Sequence, residues 1–393
     1  MKKMYLDHIA ATPLHPKALE AMLPYLKENF GNPQSLHSAG QEALSAVEEA
    51  REKVASLVNA SESEIIFTSS GSESNNFVLK GMALALRDKG KHMVLSAIEH
   101  QSILQSAKSL EKLGFQFSSV PVDKYGLVNP EDVKRAITKE TVLVSVMLAN
   151  SEVGTIEPVA EIAKVCHSTN VLFHTDAVAA VGNIPVDIKQ LGVDALSLAG
   201  DQFYGPKGSA ALFLKKGTRL FPFIDGGIQE GGRRAGTENV AGIVGLGKAA
   251  EMAKIELENR IQKIKPLRDR LIERFPQKVE RLFLTGHPGK RLPHHASFVV
   301  EFIEGEGMLL NLDMKGIAVS SGSACTSRAL KASHVLLAMG FDHALAQGSI
   351  VFSLIEEITP EDIEYLLEVF PPIIERLRKM SPLYTKYLEE KKK

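Results

Sequence analysis

Residues 171–214 read VLFHTDAVAAVGNIPVDIKQLGVDALSLAGDQFYGPKGSAALFL, and this stretch decides the fold. Three apolar runs, at 171–175, 195–198 and 210–214, are short, continuous and bounded by turn residues. Runs of that kind mark strands buried on both faces. The rhythm extends upstream, where runs at 65–67, 93–96, 115–120 and 142–147 alternate with helical patterns. Strands that alternate with helices predict an α/β fold whose core is a mostly parallel sheet covered on both faces. Ligands of such sheets bind beyond the carboxyl ends of the strands. Asp176, which follows the run at 171–175, is therefore placed at a ligand crevice.

Outward from this core, residues 15–58 read as two helices separated by Gly31-Asn32-Pro33, the second carrying Ala43, Val47, Ala50 and Val54 at helical spacing. A Gly-rich stretch at 225–236 precedes a helical pattern at 239–264, which Pro266 is expected to break or kink. Strand-like runs follow at 296–302, 317–319 and 349–354, with helical patterns at 307–315 and 332–339. A final amphipathic helix at 360–380 buries Ile363, Leu366, Leu367, Phe370, Ile374 and Leu377, with a kink expected at Pro371-Pro372. The expected organisation is a large domain at 13–258 and a small α+β domain formed by 1–12 and 259–393, with a frayed charged tail at 389–393.

Forty-six Lys and Arg against 47 Asp and Glu give a net charge of −1. No global field favours nucleic acid or an anionic membrane. No apolar run is long enough for a signal peptide or a membrane span, so a cytoplasmic protein is expected. Cys166 and Cys325 are the only cysteines, too few for a disulfide framework, and no Cys-x-x-Cys pair suggests a structural zinc site. Gly242 to Ala249 nearly spells a nucleotide phosphate loop, but it lacks the Ser or Thr that would hold magnesium and lies in a helical pattern, so it reads as helix packing.

Local chemistry concentrates at three places. Thr68-Ser69-Ser70-Gly71-Ser72 follows a strand and opens a helix, where backbone N–H groups and hydroxyls either cap the helix or cup a phosphate. Asp176 is either a turn residue or a ligand contact. Cys325 lies in a Gly/Ser-rich run with Arg328 close by, surroundings that suit a reactive thiol, whereas Cys166 sits in a helical pattern and reads as inert.

Taken in order, Tyr5-Leu6-Asp7, Gly31-Asn32-Pro33, Phe67-Thr68-Ser69, Glu99-His100, Glu152-Val153-Gly154-Thr155, His174-Thr175-Asp176-Ala177, Tyr204-Gly205-Pro206-Lys207-Gly208, Arg234-Ala235-Gly236-Thr237 and Ser320-Ser321-Gly322-Ser323-Ala324-Cys325 resemble the NifS/IscS-type cysteine desulfurases. The resemblance covers essentially the whole chain. It implies a fold-type I architecture for pyridoxal phosphate (PLP), a homodimer, and transfer of sulfur from cysteine through a persulfide to an iron–sulfur scaffold or other acceptor protein. It assigns the phosphate cup to Gly71 and Ser72 with Thr237 contributing across the dimer, ring stacking to His100, the ring-nitrogen partner to Asp176, and the sulfur acceptor to Cys325.

The same resemblance exposes departures. The lysine that binds the cofactor aligns with Gln202 and the histidine before it with Asp201; Ser151, Ala179 and Ala199 replace polar cofactor contacts, and Val351 replaces the arginine that clamps the substrate carboxylate. An amide cannot form an imine, nor remove the proton that such chemistry requires. Lys207 is a poor substitute, because the family carries it beside the usual lysine. The expectation is a sulfur-transfer protein that uses Cys325 as persulfide carrier or as ligand of a shared iron–sulfur cluster, docked on a scaffold. A protein holding PLP noncovalently and a non-catalytic dimerisation module are the alternatives.

Overall fold

The computed structural model describes residues 3–322 and 332–391; Cys325 and Arg328 lie outside the described residues. Twelve strands occur among them: β1 (Met4–Tyr5), β2 (Ile65–Thr68), β3 (His92–Ser96), β4 (Gln116–Val120), β5 (Thr141–Ser145), β6 (Leu172–Asp176), β7 (Ala195–Ala199), β8 (Ala210–Leu214), β9 (Leu282–Leu284), β10 (His295–Val300), β11 (Ile317–Ala318) and β12 (Ser349–Ser353).

Seven of these form one sheet in the order β2-β8-β7-β6-β5-β3-β4. Strands β4, β3, β5, β6 and β7 run parallel, and only β8 opposes its neighbours β7 and β2. The runs that were apolar in sequence are buried along their whole length in β3, β5, β7 and β8, as a doubly covered sheet requires. Helices α1 (Pro16–Lys27) and α2 (Ser38–Val58) fall where the sequence placed them, followed by α3 (Gly71–Leu86) and α4 (Gln101–Glu111).

The second apolar cluster surrounds the three-stranded antiparallel sheet β12-β10-β9. Chain beginning and end meet there: β1 pairs with β11, and Asp7 bridges to Ser353. One helix, Val240–Lys278, runs between the two cores. Its first half packs against α2 so closely that a Cβ on Gly247 would lie 2.6 Å from the Ala50 Cα, which explains the small residues of the near phosphate-loop motif. Its second half carries Phe275 into an aromatic cluster, 4.8 Å from Phe370 and 5.2 Å from Phe352 between ring centroids.

Two expectations are corrected. Pro266 does not end the long helix, which continues through Pro266 and Pro276 to Lys278. Burial of Ile264, Leu267, Leu271 and Phe275 on the second core outweighs the forfeited backbone bond. Of the tail expected to fray at 389–393, the described residues 389–391 continue the helix Pro382–Lys391, and Lys391 reaches Glu280 at 3.5 Å. The helix Pro360–Lys379 is likewise continuous through Pro371 and Pro372. No described helix is long and apolar enough to cross a membrane.

Candidate functional site

The carboxyl ends of β3, β5, β6 and β7 face a cavity of about 430 Å³. On one side it is walled by the start of α3. Ser70 is the N-cap, with its hydroxyl accepting from the Glu73 N–H at 3.1 Å. The first amides of that helix have no intrahelical acceptor and form an anion-binding end. Gly71 is required there by a close approach: a Cβ would meet Val178 Cγ2 at 2.5 Å.

Asp176 closes β6 and is buried. Its carboxylate accepts from Asn75 Nδ2 at 2.6 Å and from the Val178 N–H at 3.0 Å. His100 lies on the same wall as the N-cap of α4, accepting from the Ser102 N–H at 3.2 Å. Ser70 and His100 are thus helix caps, and both line the cavity. Gly71, Ser72, His100 and Asp176 all line one cavity.

A second group of lining residues carries a different chemistry. Gln202 is buried in the turn after β7, with its Nε2 donating to the Ile9 carbonyl at 3.3 Å. The backbone carbonyl of Gln202 accepts from Asn183 Nδ2 at 3.2 Å and faces His8 Nε2 at 3.0 Å. Asp201, Ser151, Ala179 and Ala199 line the cavity beside it. Burial raises the Asp201 carboxyl above its usual range, opposed by the charge of Lys207. Lys207 itself is exposed and does not line the cavity.

Two carboxylates that sequence reasoning left without a role complete this side. Glu99 is fully buried; Oε1 accepts from Ser96 Oγ at 2.6 Å and from the Met147 N–H at 2.9 Å, while Oε2 has no partner. Burial pushes its pKa up to about 8, with the charges of Asp176 and Glu157 adding to the effect. Glu152 is half-buried, accepts from Ser333 Oγ, and is pushed up to about 7 by burial. A signal for both existed: like Asp176, each follows a strand of the parallel sheet at its carboxyl end.

Other candidates stand apart. Thr237 is exposed and does not line the cavity within one chain. Val351 is buried in β12, where its Cγ2 lies 3.5 Å from the position of a Cβ on Gly322. Cys166 is fully buried with its thiol pushed up to about 12 by burial, an inert residue. His174 is held between Ser145 Oγ and Ser197 Oγ and burial depresses it to about 3, a structural role. A larger cavity of about 770 Å³, lined by Arg281, Phe302, Met380 and Tyr387 among others, contains none of the candidate residues. Among the described residues no cluster of three or more His, Cys, Asp or Glu side chains is arranged to hold a metal.

An aldehyde cofactor bearing phosphate meets a divided site. The start of α3 suits the phosphate and Asp176 suits a protonated ring nitrogen. The described lining contains neither lysine to form the imine nor arginine to clamp a substrate carboxylate. A covalently held cofactor does not fit these residues.

The sequence profile of the aminotransferase class-V family matches residues 4–366. The chain is 49% identical over 391 residues to a cysteine desulfurase IscS of Dictyoglomus turgidum, covering 100% of this chain and 99% of the relative. It is also 49% identical to the cysteine desulfurase IscS of Methanosarcina thermophila, over 98% of this chain and 95% of the relative. Among solved structures, a NifS-like protein superposes with a TM-score of 0.90 at 36% identity, over 96% of this chain and all of the other.

Proposed function

The chain belongs to the class-V aminotransferase family, and on that premise we propose that it is a cysteine desulfurase-like sulfur-transfer protein working without a lysine-bound cofactor. In this reading Gln202 occupies the position of the imine-forming lysine, and Cys325 accepts sulfane sulfur or ligates a cluster on behalf of a scaffold or acceptor partner. The names of the relatives and the colinear motifs support sulfur transfer. The observation that carries the departure is the cavity itself, whose described wall holds Gln202 and four acidic side chains but no lysine. A cytoplasmic homodimer with domains at 13–258 and at 1–12 plus 259–393 belongs to the same proposal. Of the four apolar clusters among the described residues, one lies within 1–12 plus 259–393 and supports the division, while another joins Ile98, Met147 and Val153 to Val299 and Leu336 across it.

The test has two parts. Purified protein is incubated with excess PLP, reduced with borohydride and mapped by peptide mass spectrometry; no lysine should carry a pyridoxyl group. The protein is then exposed to polysulfide, which donates sulfane sulfur to a thiolate, and Cys325 should gain one sulfur. A pyridoxyl-lysine, or an unmodified Cys325 together with no binding to an iron–sulfur scaffold, overturns the proposal.

A noncovalently held PLP remains the second reading. It is favoured by one observation, the convergence of Gly71, Ser72, His100 and Asp176 on one cavity. Saturable appearance of a shifted PLP absorbance band without a reducible adduct would select it.

A further inference from the structure

We propose that His8, His295 and His334 form a proton-released clasp, which holds the second core against the carboxyl edge of the seven-stranded sheet and opens the cavity between them on acidification. All three belong to the second core or pack on it. His8 follows β1 and its N–H donates to the Ser353 carbonyl at 3.2 Å, and His295 begins β10. His334 opens the helix His334–Ala338, whose Val335 and Leu336 share an apolar cluster with Val299 of β10.

Each histidine points one ring nitrogen at a backbone carbonyl just past a different strand of the large sheet. His8 Nε2 lies 3.0 Å from the Gln202 carbonyl after β7, His295 Nε2 2.8 Å from that of Ser151 after β5, and His334 Nε2 3.0 Å from that of Glu99 after β3. Gln202, Ser151 and Glu99 line the cavity from the sheet side, while Ile9, Ser320 and His334 line it from the other. Between the layers runs an apolar seam in which Ile98, Met147 and Val153 meet Val299, Leu336 and Met339. Backbone bonds from Leu292 to Gly154 at 2.9 Å and from Ile156 to Lys290 at 3.0 Å join the layers at one edge and serve as the pivot.

The clasp requires neutral rings. His334 Nδ1 faces Gln101 Nε2 at 3.4 Å, and an amide N–H only donates, so the ring proton sits on Nε2. His295 Nδ1 is buried without a partner, where a second proton would be left unsatisfied. His8 has an acceptor at both nitrogens, since Nδ1 lies 3.2 Å from the Leu354 carbonyl, but positive groups surround it. Arg260 acts on it while lying over the Tyr204 ring, and the His294 ring stacks on it at 4.3 Å. Arg291 and Arg268 face His295; His100 faces His334 and is itself faced by Glu152. Glu256 and Glu356 are engaged by Arg260, and Asp269 by Arg268. The Glu99 carboxyl, pushed up to about 8 by burial, supplies no charge at lower pH.

Burial first, and these charges second, depress His8 to about 4 and His295 to about 3, and burial lowers His334 as well. Released rings return to an ordinary value of about 6.5. The closed form therefore keeps its full advantage above pH 6.5 and loses it as pH falls toward the depressed values. For His8 alone that difference multiplies the open population about thirtyfold at pH 5.0.

Methionine oxidation by hydrogen peroxide, mapped by peptide mass spectrometry on the intact protein at pH 7.5 and 5.0, tests this. Met147 and Met339 lie in the seam at 4% and 6% exposure, so their oxidation reports opening. Their rates, relative to the exposed Met314 and Met380, should rise about tenfold or more at pH 5.0. Met82, Met93 and Met308, buried within the two cores, should stay protected. The variant carrying His8→Gln, His295→Gln and His334→Gln keeps amide donors that do not titrate, and should show no rise. Should it fail to fold, the half-buried His334→Gln decides alone by shrinking the rise. No rise at Met147 and Met339, an equal rise at Met82, Met93 and Met308, or an unchanged rise in the folded variant overturns the proposal.

Discussion

The cavity wall built by the start of α3 and the end of β6 presents helix amides, Ser70, Gly71 and a hydrogen-bonded Asp176, whereas the wall after β3, β5 and β7 presents Glu99, Glu152, Asp201 and Gln202. Both walls are placed by the same device, the carboxyl edge of a parallel sheet. The first has the groups that an anionic ring cofactor needs. The second has acceptors and acid groups where an amine nucleophile and a cation would serve that cofactor. The fold therefore preserves the location of a site while a few side chains decide its chemistry. The solved NifS-like structure shares this backbone closely, with a TM-score of 0.90 at 36% identity.

The largest expected effect comes from giving the second wall what it lacks. Gln202→Lys should convert a protein that forms no reducible PLP adduct into one that does, with the adduct yield rising about tenfold or more, because an imine requires a primary amine. Absorbance after PLP addition and borohydride trapping measure it. A lysine at 202 that stays unmodified would show that Asp201 and the neighbouring carboxylates, rather than the missing amine, set the wall's character.

Next in size is a pH effect on stability. Glu99 titrates near 8 in the folded chain, above its usual value of 4.5. The folded state thus binds this proton more tightly than the unfolded chain, so stability falls as pH rises from about 4.5 to 8 and is constant beyond. Glu99→Gln keeps the bonds from Ser96 and Met147 and removes the titration. Urea melts should superpose below pH 4.5 and diverge above it, leaving the variant more stable at pH 9 by up to several kcal/mol. His8 and His295 act at the other end: burial depresses them to about 4 and about 3, so their cost appears below pH 6.5 and is common to both proteins. Superposable curves at every pH would show that the carboxyl is not held neutral by its burial.

Asn75 ties α3 to the end of β6 through Asp176, and Asn75→Ala should cost about 1–3 kcal/mol, the usual penalty when a buried carboxylate loses a donor. The loss should appear in chemical melts as a lower midpoint with unchanged slope. A cost near zero would mean that Asp176 finds another donor and that the amide is not what orients it.

Much of this was legible in sequence. The strand rhythm from 65 to 214 gave the sheet because buried parallel strands need continuous apolar runs, and Asp176 was identified by its place after one of them. Gln202, singled out from its surrounding motif, lines the same cavity. The continuity of the helix through Pro266 was not, since local propensity forbids it and only burial of Leu267, Leu271 and Phe275 on the second core permits it. Glu99 and Glu152 escaped for a related reason. Their place after β3 and β5 was readable, but their burial depends on strands distant in sequence, which no local pattern reports.

The smallest effect expected is at the anion-suited wall. Ser70 caps α3 through one bond to the Glu73 N–H, and Ser70→Ala should cost about 1 kcal/mol, as N-cap removals do. Glu73 limits the loss, because its carboxylate accepts from the Ser69 N–H at 2.9 Å and from Arg234 Nε at 2.9 Å and so still braces the first turn. Ser70→Asp is the sharper companion, since aspartate is an equally good cap and adds charge favourable to the helix dipole. It should retain wild-type stability in thermal melts. If Ser70→Asp destabilises the chain while Ser70→Ala does not, the cavity already carries more negative charge than the α3 terminus can offset, and the contrast between the walls is one of degree.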